Sequence, residues 1–382
     1  MSIAYPYLLL LITLAILGLY SDHVKQERYK IYLSVTGIVI FFLFFGFRGF
    51  IAGDWTIYYP FFKECDINNV LNYSLRKADF EPGFTLLCVI CKSIYNDWSF
   101  FQIVVSIIDT TLLILFLRKT IDNIPYALMI YITFNGIVIS TDLMRNSIAI
   151  MIFLNSLQFI KERKIIPYMS LCLLALTFHT SSLLFFPLYF FFHKRCNKWV
   201  FIFLFIIGNI IFILHIPIVL TIIKILGIGG DLQLKVTAYT ELMDVSKGLS
   251  VGYIERISTG LIIFTYYDKL KGIRPDNAVY FNGLALYLIL FLIFSEFQVL
   301  SERITLLFSY GYWIVWMDLM KCFYYDNNRR LFKIFVVAYC LLRTYGSVSS
   351  STDFIYDNIL IHHKSYEERL YIKNRKGGLQ GQ

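Results

Sequence analysis

The residues best suited to chemistry lie where a long apolar run ends. The segment 47–59 follows the apolar stretch 31–47 and reads FRGFIAGDWTIYY, with Arg48 and Asp54 six residues apart. A guanidinium binds oxyanions in a bidentate way, and charged groups at a membrane boundary usually face a polar cavity. The pair therefore predicts a site for an anionic substrate. The structural alternative is a headgroup anchor beside a local ion pair at a helix end.

Other charged side chains are predicted at the same membrane face. An ionised group near hydrocarbon costs about 3 kcal/mol, so charges from separate helices at one depth indicate a shared polar chamber. The set comprises Arg48, Asp54, Glu81, Asp142, Arg145, His179, Glu255, Arg256, Glu296, Glu302 and Arg303.

Arg145 is the strongest candidate for oxyanion binding, because it opens an apolar segment beside Asn146. It could instead pair with Asp142, three residues before it. Glu81 precedes Pro82 at a predicted helix start, where a carboxylate either caps the helix or acts in catalysis. The sequence leaves both possibilities open.

The remaining candidates are weak when taken singly, and they count as site residues because other charged residues are predicted beside them. His179 stands between two apolar runs, where a single histidine is more often a hydrogen-bonded hinge than a catalyst. Arg256 and Arg303 each follow a glutamate, so each could belong to an interfacial pair; Arg303 is the better candidate of the two. Tyr58, four residues after Asp54, is the aromatic residue singled out for stacking on a sugar ring.

The composition predicts a polytopic α-helical membrane protein. The chain has 382 residues, of which 58% are hydrophobic and 16% charged, and its mean hydropathy is +0.63. Its net charge of +9 fits basic cytoplasmic loops rather than a nucleic-acid partner. The first apolar run lacks a basic leader and a small-residue cleavage site, so it is expected to be a retained span.

The apolar segments set the predicted topology. Six short loops hold 18 of the 35 Lys and Arg residues, which places these loops in the cytoplasm. The run 82–95 is short and is expected to be a re-entrant or surface helix, which leaves about twelve crossings with both termini outside. The apolar segments are 3–20, 31–51, 82–95, 100–117, 124–141, 143–160, 165–179, 180–193, 199–223, 253–267, 278–295, 303–320 and 331–345.

These segments form one predicted membrane domain, residues 1–345. Two polar segments, 52–80 and 224–252, are long enough to roof a cavity on the outer side. A C-terminal tail, 346–382, follows. Its basic residues fit an outer location poorly, so the side of the membrane on which the tail lies stays open. The Gly/Gln-rich end, 377–382, is typical of a vector-derived remnant.

Several kinds of site lack sequence support. The seven cysteines lie mostly in apolar runs and are expected to be small buried hydrophobes. No Walker A, GxGxxG or HExxH motif occurs, and no Asp-x-Asp is available to hold a metal with a nucleotide-sugar. We expect neither a metal nor a cofactor.

Five pieces of sequence, taken in order, resemble the polysaccharide repeat-unit polymerases, the EpsG-like branch of the Wzy proteins. The resemblance covers roughly residues 30 to 310, and Asn146 stands where the family usually has glutamine. The pieces are Arg48…Gly53-Asp54-x-x-x-Tyr58, Glu81-Pro82-Gly83-Phe84, Asp142-Leu143-Met144-Arg145-Asn146-Ser147-Ile148-Ala149, Phe178-His179-Thr180-Ser181 and Ser301-Glu302-Arg303.

The resemblance implies a fold similar to GT-C glycosyltransferases. It implies a polymerase of undecaprenyl-diphosphate-linked oligosaccharides that builds O-antigen, capsule or a related polysaccharide at the outer face of the bacterial inner membrane. Membrane lipid and a chain-length regulator would be its partners. Arg48, Arg145, Arg303 and, less strongly, Arg256 would bind diphosphate.

Asp54, Glu81 and His179, in that order, are then the candidates for the base, with Tyr58 at the sugar. Two other functions are weighed against this one. A flippase for lipid-linked oligosaccharides also needs buried cations, although charges concentrated at one face argue against it. Membrane-bound acyl transfer through His179 lacks an evident partner.

Overall fold

A computed structural model describes residues 3–68, 80–225, 250–274, 277–296, 298–361 and 363–377. These residues form α-helices joined by short turns, and the β-pairing among them is an isolated bridge between Arg48 and Asn358. Helices satisfy backbone hydrogen bonds internally, which is the requirement in hydrocarbon. The predicted all-α class is confirmed.

The helices are numbered in chain order. They are α1 Tyr5–His23, α2 Glu27–Gly46, α3 Trp55–Glu64, α4 Pro82–Ile94, α5 Trp98–Arg118, α6 Ile124–Tyr131, α7 Ile137–Thr141, α8 Met144–Lys161, α9 Ile165–Leu176, α10 Leu188–Phe191, α11 Lys198–Ile213, α12 Ile218–Ile225, α13 Val251–Thr265, α14 Tyr267–Ile273, α15 Ala278–Ile293, α16 Gln298–Leu306, α17 Tyr310–Lys321, α18 Asp326–Ser349 and α19 Tyr366–Gly377. A π-helical turn, Ile132–Gly136, joins α6 to α7, and 3₁₀ turns cover Thr180–Phe185, Phe294–Glu296 and Thr352–Phe354.

Six helical stretches of the described chain are long and apolar enough to cross a membrane, which confirms the polytopic character. They are Tyr5–His23, Glu27–Gly46, Trp98–Arg118, Ile124–Thr141, Ala278–Glu296 and Asp326–Ser349. Helix α4 has 13 residues. At about 1.5 Å per residue it is shorter than the roughly 30 Å of hydrocarbon, as expected for a re-entrant or surface helix. The count of about twelve crossings and the likeness to GT-C enzymes stay predictions.

The chain divides into two compact units. The first comprises Met1–Phe190 with Tyr325–Gln382, and the second comprises Phe191–Tyr324. Whether the whole membrane region acts as one domain stays a prediction.

In the first unit, an aromatic cluster packs α3, α4 and α5 together. Phe62, Phe84 and Phe101 are fully buried, and the rings of Phe62 and Phe101 stack with centroids 5.1 Å apart. Trp98 meets Phe62 edge-on at 5.8 Å. Buried aromatic pairs of this kind contribute about 1 kcal/mol each beyond their area, so the cluster fixes the helix starts that carry polar residues.

The C-terminal segment returns to the first unit after α18. The backbone N–H of Gly49 donates to the Asp357 carbonyl at 2.9 Å, and that of Ile359 donates to the Phe47 carbonyl at 2.8 Å. Residues 352–361 and 363–373 therefore lie at the same end of this unit as the loop 48–54. The membrane side of this end and the crossing parity stay predictions.

In the second unit, α15 packs closely against α17. A Cβ atom on Gly311 would lie 2.4 Å from the backbone nitrogen of Leu284, so this crossing needs glycine. The apolar segment predicted at 303–320 is two helices, α16 and α17, because the chain turns at 307–309. Most of the predicted outer loop 224–252 lies outside the described residues.

Candidate functional site

Four of the predicted site residues stand at helix starts in the first unit. Asp54 directly precedes α3, Glu81 directly precedes α4, Arg145 is the second residue of α8, and His179 precedes the 3₁₀ turn Thr180–Phe185. Helix N-termini carry partial positive charge and unpaired N–H groups, which favour anions. The fold thus gathers carboxylates, a guanidinium and helix ends in one region.

Asp142 organises the loop that carries Asp54. One of its oxygens, Oδ1, accepts hydrogen bonds from the backbone N–H groups of Gly53 at 2.8 Å and Asp54 at 2.7 Å. Charge-assisted bonds of this kind are roughly twice as strong as neutral ones. The predicted pairing of Asp142 with Arg145 is not formed, because Asp142 lies in the turn before α8 and its carboxylate is directed to the 53–54 backbone.

Tyr58 connects Asp54 to Arg145. Its hydroxyl donates to Asp54 Oδ2 at 3.4 Å and accepts from Arg145 Nε at 3.4 Å. Burial raises the pKa of Tyr58 to about 12, so the phenol stays protonated at neutral pH. It can then donate a hydrogen bond to the carboxylate.

The Arg145–Glu81 ion pair is the centre of the site. Arg145 Nη1 donates to Glu81 Oε2 at 2.5 Å, and the guanidinium carbon lies 4.2 Å from the centroid of the Phe80 ring. The other carboxylate oxygen of Glu81 accepts from the backbone N–H of Thr180 at 3.0 Å. Both oxygens of Glu81 are therefore engaged, and the side chain is only 9% exposed.

His179 joins the same network through Ser181. Its Nδ1 accepts from the Ser181 backbone N–H at 3.1 Å, so in the neutral ring Nε2 carries the proton. The Ser181 hydroxyl lies 2.7 Å from the same nitrogen and donates to Asn146 Oδ1 at 3.2 Å. Asn146 thus keeps an amide contact even though it replaces the usual glutamine.

Arg48 lies apart from this network. It is only 2% exposed, and its Nη1 donates to the Phe45 carbonyl and to Ser106 Oγ, both at 2.8 Å. These bonds tie the end of α2 to α5. A contact between Arg48 and a diphosphate stays a prediction.

Arg256 and Arg303 belong to the second unit. Arg256 donates to the Gly252 carbonyl at 2.8 Å and to the Tyr287 hydroxyl at 3.3 Å, and its guanidinium carbon lies 3.7 Å from the Phe291 ring centroid. Arg303 is exposed on α16. Their roles at the substrate stay predictions.

The sequence reasoning missed two partners of the site. The backbone N–H of Thr180 holds Glu81, and Lys373 of α19 donates to the Gly53 carbonyl at 3.3 Å. The first partner could be suspected from the polar Thr-Ser-Ser run after His179. No local pattern marks the second, which lies 320 residues away from Gly53 along the chain.

The carboxylates of this region bind N–H groups and a guanidinium. Among the residues that the structure describes, no group of three or more His, Cys, Asp or Glu side chains could hold a metal ion. The arrangement can bind an anion at Arg145 and can accept a proton at a carboxylate a few ångströms away.

Comparison with known proteins identifies the family of the chain. No curated protein and no solved structure matches the chain. The family model described as the EpsG family matches residues 31–361, which include every candidate site residue. The chain is a membrane protein and belongs to the EpsG family.

Proposed function

We propose that this protein polymerises undecaprenyl-diphosphate-linked oligosaccharide repeat units into O-antigen or a related polysaccharide at the outer face of the bacterial cytoplasmic membrane. Family membership supports a glycosyltransferase-like polymerase in general. The observation that carries the proposal is the contact chain Asp54–Tyr58–Arg145–Glu81. In it the Arg145 guanidinium binds the Glu81 carboxylate directly and reaches the Asp54 carboxylate through the Tyr58 hydroxyl.

In the proposed reaction, a hydroxyl of the incoming lipid-linked unit attacks the anomeric carbon of the growing glycan. A new glycosidic bond forms, and the bond between that carbon and the lipid diphosphate breaks. The hydroxyl proton passes to a carboxylate, and the diphosphate leaves with the bonding electron pair. The leaving group is multiply charged, so a guanidinium that strengthens its contact as charge develops lowers the barrier.

Asp54 remains the first candidate for the base. Both carboxylate oxygens of Glu81 already accept hydrogen bonds, one from Arg145 and one from the Thr180 N–H. Glu81 is therefore better placed to orient Arg145 than to take up a proton. Asp54 is partly exposed at the start of α3, beside the protonated hydroxyl of Tyr58. His179 stays the third candidate, since its Nδ1 already accepts from the Ser181 N–H.

The test is incubation of the purified protein with one defined undecaprenyl-diphosphate-linked repeat unit, followed by separation of products by length. We expect a ladder of lipid-linked products from the wild type. Asp54→Asn should slow its formation by about 100-fold or more, the usual contribution of a general base. Glu64→Gln, an exposed carboxylate change on the same helix, should leave the ladder unchanged.

Two outcomes would overturn the proposal. One is a wild type that binds the unit and never lengthens it. If such a protein also moved the unit across the bilayer of a vesicle, the flippase alternative would replace the polymerase. The other is a full ladder from Asp54→Asn together with Arg145→Ala, because neither the base nor the anion contact would then be needed.

A further inference from the structure

The C-terminal helix α19 is fastened to the loop that carries Asp54. Its Arg369 is 3% exposed, and its Nε donates to the Phe50 carbonyl at 2.8 Å. The Nη2 group of Arg369 donates to the carbonyl of Asp353 at 2.9 Å and to that of Ile355 at 3.3 Å. A buried guanidinium that satisfies carbonyls of two segments fixes both segments relative to the helix.

Aromatic contacts add to this attachment. The ring of Tyr366, at the start of α19, stacks on Tyr59 with centroids 4.3 Å apart and an interplanar angle of 15°. It also meets Trp55 edge-on at 5.4 Å. Helix α19 therefore packs on α3 directly beyond Asp54, although the match to the family model ends at residue 361.

This attachment brings Lys373 to the edge of the site. Its ammonium nitrogen donates to the Gly53 carbonyl at 3.3 Å and lies 5.7 Å from the Trp55 ring centroid. Gly53 lies between Lys373 and Asp142. A Cβ atom added to this glycine would lie 3.4 Å from Lys373 Nζ and 3.8 Å from Asp142 Oδ1. Among the described residues, no carboxylate lies within ion-pair distance of Lys373.

The negative charge around Arg145 gives the Lys373 ammonium a role in binding an anion. Arg145 is already paired with Glu81, and Asp54 and Asp142 add further negative charge near it. A diphosphate bound at Arg145 alone would meet carboxylates on several sides. A second cation without a carboxylate partner is therefore needed to offset the charge of such a ligand.

We propose that Lys373 is an additional anion-binding residue, supplied by α19, that contacts the diphosphate of the lipid-linked substrate. The proposal rests on the proposed function for the identity of that substrate. The ammonium exchanges its carbonyl contact for a phosphate oxygen, and Trp55 keeps the side chain directed towards the loop.

A binding measurement tests this role separately from catalysis. Farnesyl diphosphate and farnesyl monophosphate serve as probes, and their affinities for the full-length protein in detergent are measured for the wild type and three variants. Lys373→Ala should weaken diphosphate binding by about 10-fold or more and monophosphate binding by much less. Lys373→Arg should keep most of the wild-type preference, since it keeps the positive charge.

The matched control is Arg375→Ala, which removes an exposed cation from the same helix and should change neither affinity. Unfolding temperatures of all variants check that the fold is kept. Equal losses for both probes would show that Lys373 only supports the loop through Gly53, and an unchanged affinity would exclude it from the site. Each result would overturn the proposal, as would a wild type that does not prefer the diphosphate.

The two proposals can fail independently. A wild type that makes no ladder from the lipid-linked unit refutes polymerisation. The Lys373 proposal still stands in that case if Lys373→Ala alone loses the preference for diphosphate.

Discussion

The Arg145–Glu81 pair allows a prediction whose size follows from its surroundings. The two side chains are 19% and 9% exposed, so water screens their attraction weakly. Removing one partner of a buried pair costs about 3–5 kcal/mol, because the other charge stays buried without compensation. Arg145→Ala would leave Glu81 with the Thr180 N–H alone. Since part of Arg145 still reaches solvent, we expect the lower end, about 3 kcal/mol.

Three variants separate the pair from the rest of the site. Arg145→Ala and Glu81→Ala should each lower the unfolding temperature, by about 4 °C for 3 kcal/mol. The double variant should lose less than the sum of the two, with a coupling of about 2 kcal/mol. The measurement is thermal unfolding in detergent, and Arg118→Ala, an exposed arginine at the end of α5, is the control.

Arg145→Lys then separates stability from catalysis. An ammonium can still pair with Glu81, so the unfolding temperature should stay near that of the wild type. It cannot hold Glu81, Tyr58 and a phosphate at once, so chain extension should fall by about 100-fold or more. A coupling near zero would refute the ion pair as a structural element. A fully active Arg145→Lys would refute the need for a guanidinium.

Three further changes test the surroundings of the pair. Asp142→Asn replaces charge-assisted bonds to the loop by neutral ones, so hydrogen exchange at the Gly53 and Asp54 amides should accelerate and polymerisation should fall about 10-fold. For Tyr58, burial raises the pKa from 10.0 to about 12. Its protonated form therefore contributes full stability below pH 10 and loses that contribution as pH rises towards 12. Tyr58→Phe should remove this alkaline loss in a pH series of unfolding temperatures. Gly83→Ala would place a Cβ 2.4 Å from Thr177 Oγ1 and 2.8 Å from its carbonyl oxygen, so thermal unfolding should report a loss of about 1–3 kcal/mol.

The helical class could be predicted because helices satisfy their own backbone hydrogen bonds in hydrocarbon, and a common depth for the candidate residues is predicted because a bilayer imposes one axis. Counting along apolar segments predicts one level for Asp54, Glu81, Arg145 and His179. The structure joins the first three through hydrogen bonds and holds Glu81 on the backbone N–H of Thr180, the residue after His179. Depth alone does not tell which helices are neighbours. The sequence therefore predicts candidate residues without their partners.

The partner of Arg145 shows what the sequence pattern could not predict. The spacing of Asp142 and Arg145 would make them neighbours on a continuous helix, where residues three apart lie on one face. The helix begins only at Met144, however, and Asp142 has φ −105° and ψ −46° in the preceding turn. Whether Asp142 lies inside the helix or just before it decides the partner of its carboxylate, and sequence patterns do not place a helix start to within a residue or two.

Two cations of the C-terminal segment, Arg369 and Lys373, are held by the protein itself. The Lys and Arg residues of this segment fitted an outer location poorly because cytoplasmic loops collect cations. That rule concerns cations that stay in water beside the membrane. Arg369 is instead buried and donates to carbonyls, one of them 319 residues away along the chain, and Lys373 donates to another. Cations held by protein carbonyls say little about sidedness, and the membrane side of this segment stays a prediction.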